Sequence, residues 1–352
     1  MTARDSIPVR LNVAIALALI AANGLMFLVV PLLLPVSAAW GWLLLIPTVL
    51  TTPLWSMIHE AVHSSLHPDR RWNDRLGRVL AGVFGSPFQI LRLGHLMHHR
   101  YNRSPLNRIE VAPRRPGPVE KAGYYGRLFG GLYLGELAVA PLAILPDLFY
   151  RPIIQLAFGD EAPDGRTMWD GARRQLLEEP GRSRMRLDGL LITLGLGLSL
   201  WLYGPFWWML ALALAARAFL VSFFDNAYHY ANPLDEVMAG YDLRLPRPAE
   251  ALFLNFNYHA THHRKPNAPW STLPVVFAEL GHRFEDGFAR AALRQLDGPI
   301  PEQALSAPAT GSPDGPSAAQ SARRIPDPQD PAGRRSGADT RMRTGEGRRV
   351  GA

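Results

Sequence analysis

The chain has 352 residues, 48% of them hydrophobic and only 19% charged, with a formal net charge of +7. The averages conceal long uncharged runs, from Leu11 to Pro35, from Val36 to Ile58, and from Gly189 to Phe224 with Arg217 as the single interruption. About 20 apolar residues at ~1.5 Å rise cross a bilayer core, which excludes a water-soluble domain, and the lack of cysteine excludes disulfides, thiolate zinc sites, cysteine nucleophiles and cysteine-ligated iron–sulfur clusters in this chain.

The first run follows Arg4 and Arg10, as the apolar region of a secretory signal would. Such a region needs only about 7–15 residues, however, and this run is longer and leads through Pro35-Val36-Ser37-Ala38-Ala39 directly into the second. A retained hairpin is expected, with spans over about 11–34 and 38–58. Ser64 to Lys121 then carries eleven Arg or Lys against four acids, a positive-inside signal that places this segment in the cytoplasm. A basic stretch next to a membrane helix suits lipid phosphates, so no nucleic-acid partner is expected.

Gly77 to Leu93 reads as interfacial. Tyr124 to Tyr150 is apolar enough to suggest a further span, but Arg127, Glu136, Pro141 and Pro146 suit a re-entrant or interfacial helix better. A crossing here would also place the histidine groups on either side of it in different compartments. A second hairpin, over about 188–203 and 205–225, is expected to turn at Tyr203-Gly204-Pro205. The fold class is therefore an all-α integral membrane protein, with four transmembrane helices as two hairpins, interfacial or re-entrant helices, and a cytoplasmic histidine-rich cap. The catalytic domain is expected over 1–295. From Leu296 onward the chain has eight basic and seven acidic residues among Pro and Gly, which predicts a disordered tail over 296–352. Both termini and the histidine groups are expected in the cytoplasm, and the setting is expected to be a bacterial inner membrane.

Nine of the eleven histidines fall at the ends of the apolar runs: His59 and His63 in HEAVH, His95, His98 and His99 in HLMHH, His229 alone, and His259, His262 and His263 in HATHH. Helical positions i, i+3 and i+4 share a face, so each group can aim several imidazoles at one point. Buried imidazoles need hydrogen-bond partners or a metal, and nine on one membrane face point to metal. Nine ligands are too many for one zinc and suit two metals of higher coordination, with all-imidazole ligation favouring iron. Glu60, Asp69, Asp74, Glu110 and Asp225 are candidate acceptors for the outer ring N–H groups. His67 and His282, isolated in sequence, read as solvated or capping. HEAVH alone also fits a zinc hydrolase with Glu60 as general base, but that reading leaves the other histidine groups without a role.

As a set these motifs resemble the membrane fatty acid desaturase and hydroxylase superfamily. HEAVHSSLHP, GHLMHHRYN, the His229 of NAYHY and NYHATHH match its three boxes and its isolated histidine in order. The resemblance covers roughly Leu11 to Trp270 and implies that His59, His63, His95, His98, His99, His229, His259, His262 and His263 bind two iron ions in a non-haem di-iron centre. It implies an O2-dependent oxidoreductase of lipid metabolism: first a fatty acyl desaturase acting on an acyl lipid or acyl thioester, alternatively a hydroxylase or ketolase of another apolar lipid such as a carotenoid. Some members carry a metal-associated asparagine four residues before the isolated histidine, where this chain has Asp225.

An apolar substrate predicts a narrow apolar channel, with Trp55, Phe88, Trp207, Trp208 and Phe223 as candidate wall residues. No Gly-rich dinucleotide fingerprint or fused haem domain accompanies the boxes, so electrons are expected from a separate ferredoxin-like carrier or reductase. Such a donor would dock on the basic face between Arg70 and Lys121, a face that equally suits membrane lipids.

Overall fold

The computed structural model describes residues 6–105, 107–158 and 168–306. Helix α1 (Val9–Leu33) and helix α2 (Ala38–Val62) are each 25 residues long and apolar enough to cross a membrane. Pro31 has no N–H to offer the carbonyl one turn back, and α1 widens into a π-turn over Leu25–Val29 just before it. Ser37 opens α2 by accepting the Ala39 N–H. The last turns of α2, from Met57 to Val62, are wholly buried and bring His59 and Glu60 inside the protein.

Helix α3 (Arg70–Phe84) begins at Asp69, whose carboxylate accepts the N–H groups of Arg71 and Trp72 at 2.7 and 3.2 Å, and ends at Gly85 with φ +109°. It packs tightly under α2: a Cβ on Gly77 would lie 2.7 Å from that of Ala61 and 2.9 Å from the Phe88 ring. Helix α4 (Phe88–Tyr101) follows and carries three of the histidines. The strands are two-residue parallel pairs, β1 (Val111–Ala112) with β4 (Ile300–Pro301) and β2 (Leu243–Arg244) with β3 (Asp286–Gly287).

Helix α5 (Pro118–Ile144) is also long and apolar enough to cross a membrane, and bends where Gly130 takes φ +152°. Two contacts place its second leg. Near one end the Tyr133 N–H donates to Ser222, close to the end of helix α7 (Trp207–Asp225). Near the other, the Ala140 carbonyl and the Ala143 methyl sit over Gly189, in the first half of helix α6 (Gly181–Tyr203). Since α6 and α7 are antiparallel, both contacts fall toward the same end of that hairpin, and the leg from Leu132 to Ile144 runs across it. The close approach needs Gly189, where a Cβ would lie 2.5 Å from the Ala140 carbonyl oxygen.

The stretch Gly181–Tyr228 is helical over 48 residues and reverses at Gly204, φ +48°, giving the expected second hairpin. Its first helix starts seven residues earlier than position 188. Leucines such as Leu191, Leu194, Leu198 and Leu212 stay exposed along it, as a helix solvated by lipid requires. Arg217 is 1% exposed and donates to Asn23 Oδ1 at 2.6 Å, Val83 O at 3.2 Å and Thr51 Oγ1 at 3.3 Å. A charge inside a membrane span persists when neighbours replace water, and these three groups from α1, α2 and α3 tie the hairpins together.

One boundary needs correction. The tail was expected from residue 296, but the ordered chain continues to residue 306: Ile300 and Pro301 pair with β1, Tyr230 donates to Gly298 O at 2.7 Å, and Arg108 pairs with Glu302 at 3.0 Å. Pro and Gly concealed this segment because its partners, β1, Tyr230 and Arg108, lie far away in sequence. The rest of the expected tail, 307–352, lies outside the described residues. Truncation after Ser306 is expected to leave thermal stability and metal content unchanged, whereas truncation after Gln295 should lower the melting temperature in detergent. Equal behaviour of the two truncations would refute this boundary.

Candidate metal centre

Four segments converge at the end of the bundle where α2 finishes. Helix α2 brings His59, its C-cap brings His63, α4 brings His95, His98 and His99, the turn after α7 brings His229, and the short helix α8 (His259–Arg264) brings three more. The nine imidazoles sort into two groups, in each of which the ligand nitrogens lie within 4.8 Å of one another. One group is His59, His63, His95, His99 and His262, and the other is His98, His229, His259 and His263. Each triplet is therefore divided: the i, i+4 pair His95/His99 serves the first group while His98 serves the second, and His259/His263 serves the second while His262 serves the first.

The inner distances test whether these groups suit metal. In the first, Nε2 atoms follow one another as His59–His262 at 3.0 Å, His262–His99 at 3.0 Å, His99–His95 at 3.0 Å and His95–His63 at 2.9 Å. In the second, His229–His259 is 2.8 Å, His259–His263 is 3.1 Å and His263–His98 is 3.3 Å. Imidazole nitrogens about 2.1 Å from a metal and about a right angle apart lie roughly 3 Å from each other, so these spacings fit shared metal ligation. Hydrogen bonding alone does not account for them, because a neutral imidazole nitrogen either donates once or accepts.

Electrostatics keeps the lone pairs available. Burial, followed by Arg92, pushes the His63 imidazole down to about 3, and burial with neighbouring His63 pushes His99 down to about 2. Burial likewise lowers His95, His98, His229, His259, His262 and His263. All these rings are neutral at pH 7, the form that binds metal.

The expected carboxylate support takes a different shape. Among the described residues no acid bonds a ring of either group. Glu60 accepts the Trp270 N–H at 3.2 Å, Asp69 caps α3, Asp74 pairs with Arg92 and Glu110 pairs with Arg103. The ring partner that the sequence did not reveal is Asn107, whose Oδ1 lies 2.7 Å from His98 Nδ1. Arg103, also missed, is 2% exposed; it meets Glu110 at 2.6 Å and donates to the carbonyls of His229, Asn232 and Pro233, clamping the turn that carries His229. Asp242 holds Thr261 in the same way, accepting its N–H at 3.0 Å and its hydroxyl at 2.8 Å, and His282 Nδ1 meets the same carboxylate oxygen as the hydroxyl at 2.9 Å. His67 accepts the Asp69 N–H, a capping role.

A cavity of about 330 Å³ opens beside both groups, lined by His95, His98, His229 and His259 together with Trp55 and Phe84. Of the aromatic residues expected on its wall, only Trp55 is there. Phe88 packs on Gly77, Phe223 joins a separate aromatic cluster with Phe219 and Phe224, and Trp207 and Trp208 are half-exposed at the opposite end of α7. The lining also departs from the expected apolar channel, because Arg127, Glu136 and Asp225 face the same space.

A membrane-embedded helical bundle here gathers nine imidazoles into two metal-competent groups beside a partly open cavity, the arrangement expected of an integral membrane oxidoreductase with histidine boxes. The chain belongs to the fatty acid desaturase family, whose model matches residues 35–292. Neither the curated proteins nor the solved structures compared with it gave a match.

Two measurements probe this architecture. His262→Ala and His263→Ala are adjacent substitutions in different groups, so each should lose about one of two bound metals by elemental analysis, and the double variant both. Two single variants that each retained full metal would disprove the division. Glu110→Ala leaves Arg103 buried without its carboxylate and should cost about 3–5 kcal/mol, read as a large drop in melting temperature.

Proposed function

We propose that the protein is an O2-dependent non-haem di-iron oxidoreductase of lipid metabolism, a fatty acyl desaturase in the first instance, with the nine histidines as its iron ligands. The observation that supports this most directly is the division of the imidazoles into groups of five and four with inner nitrogen spacings near 3 Å. Ligation by neutral nitrogen without thiolate suits iron in two adjacent sites better than a single zinc. Two ferrous ions held there would supply, with dioxygen and two external electrons, the oxidising power to take hydrogen from an unactivated CH2.

The protein's own residues provide placement. Trp55 stands edge-on to His95 with ring centres 6.5 Å apart, and with Phe84 and Phe256 it forms the apolar wall that would hold a methylene chain against the histidines. Asn107 fixes the His98 ring, and Arg103 fixes the turn of His229. A zinc-hydrolase reading of HEAVH, with Glu60 as general base, leaves the other histidine groups without a role, and the two imidazole groups weigh against it.

Desaturation and hydroxylation share the first hydrogen abstraction and diverge afterwards, so a lipid hydroxylase or ketolase is the second reading. The basic segment from Arg70 to Lys121 supports an orientation with the histidine face in the cytoplasm of a bacterial inner membrane, where a ferredoxin-like carrier or reductase would deliver electrons. Purified protein should contain about two iron per chain, and product analysis after expression in a host of known lipid content should show a new double bond. An added oxygen would select the hydroxylase. Stoichiometric zinc, with turnover that survives iron chelation and anaerobiosis, would refute the di-iron assignment.

A further inference from the structure

Three side chains in the cavity beside the histidines have unused hydrogen-bonding capacity. Arg127, on the first leg of α5, has a buried Nε with no partner. Asp225, the last residue of α7, forms no hydrogen bond among the described residues; its side chain is exposed and lines the cavity. Glu136, two turns beyond Arg127, accepts a bond from the Ser86 hydroxyl at 3.0 Å and has a second oxygen to spare. Arg127 is near enough to both carboxylates to interact electrostatically, but no direct ion pair joins them among the described residues. The other charged pair on the wall, Arg103 and Glu110, is closed on itself.

Leaving the buried Arg127 Nε unsatisfied is costly, and three charged side chains on one wall are not what a cavity that served only to hold methylene groups requires. Their combination of one strong donor with two acceptors suits a neutral group that both accepts and donates. The lining has His98, His229 and His259 along with these three residues, so a polar group held there would sit in the same space as the second histidine group.

Building on the oxidoreductase reading above, we propose that Arg127, Glu136 and Asp225 form a polar subsite, and that the lipid this protein oxidises carries a hydroxyl or amide group close to the reacting carbon. The Arg127 guanidinium would donate to the oxygen of that group, and Asp225 or Glu136 would accept its hydrogen, while the attached chain lies against Trp55, Phe84 and Phe256. The substrate would then be positioned by an anchored polar group a few carbons from the reaction.

The test compares binding of tritiated 1-dodecanol and dodecane to the full-length, iron-loaded protein by equilibrium dialysis in detergent, corrected for micellar partition. The alcohol should bind about tenfold more tightly than the alkane. Arg127→Gln and Asp225→Asn should each reduce that preference to about twofold or less while leaving dodecane binding unchanged, and Glu136→Gln should have a smaller effect because Ser86 still holds one of its oxygens. Equal binding of the two probes, or a preference that survives both Arg127→Gln and Asp225→Asn, would overturn the subsite and assign these residues to ordered water. Failure of the oxidoreductase reading would show separately, as absent iron or absent oxygen uptake, whichever way the binding comparison falls.

Discussion

Everything at the histidine face depends on the convergence of nitrogen lone pairs. In the run His59–His262–His99–His95–His63 each of the three inner nitrogens faces two others at about 3 Å. A neutral imidazole nitrogen has either one hydrogen or one lone pair in the ring plane, so no assignment of protons satisfies every contact at once. Protonating the rings would place several positive charges within 4.8 Å of one another in a buried site, and burial opposes it. A cation at the centre of each group removes the conflict. The rest of the fold can be understood as the structure needed to hold such a self-repelling arrangement in place.

That holding is distributed over long distances in sequence. The histidines of α2 sit at the end of a buried membrane helix whose position is set by Gly77 packing beneath Ala61 and by Arg217 reaching Thr51 and Asn23. His229 is held from below by Arg103, whose guanidinium bonds three consecutive-turn carbonyls and one carboxylate, and α8 is held by Asp242 through Thr261. Each is a charged group buried with its hydrogen-bonding capacity largely used. Removing one partner costs far more than the pair contributes, so such clamps rigidify the positions they hold. Placement to fractions of an ångström is what selective attack on one carbon of a chain demands.

The histidine spacing made the existence of the centre legible, because i, i+3 and i+4 positions must share a helix face. The division within each triplet was less evident. At about 100° per residue His99 lies roughly 40° to one side of His95 and His98 roughly 60° to the other, a divergence that decides the matter only once the opposing histidines are in place. The spans were legible from hydropathy. Asn107 and Arg103 were not, since nothing local distinguishes them from the other polar residues of a basic loop; Asn107 reaches His98 only through the turn after α4, and the carbonyls that Arg103 holds lie across the fold. The segment 296–306 was misassigned for the same reason, as its order comes from β1 and from Tyr230.

The cavity bears on how such a centre chooses a carbon. A channel with apolar walls can select only by depth and bend, because every methylene presents the same surface, and one methylene more or less changes binding by about 1–3 kcal/mol at most. A site that hydrogen-bonds a substrate hydroxyl or amide discriminates more sharply, since an analogue without that group leaves buried polar atoms unpaired. Arg127, Glu136 and Asp225 converge on a space shared with His98 and His229, and Asp225 ends the same helix whose following turn presents His229. An anchor at Asp225 and a metal ligand at His229 would be four residues apart on one segment, so the distance from a held polar group to the oxidising centre would be set by the backbone of that segment, independently of the length of chain beyond it.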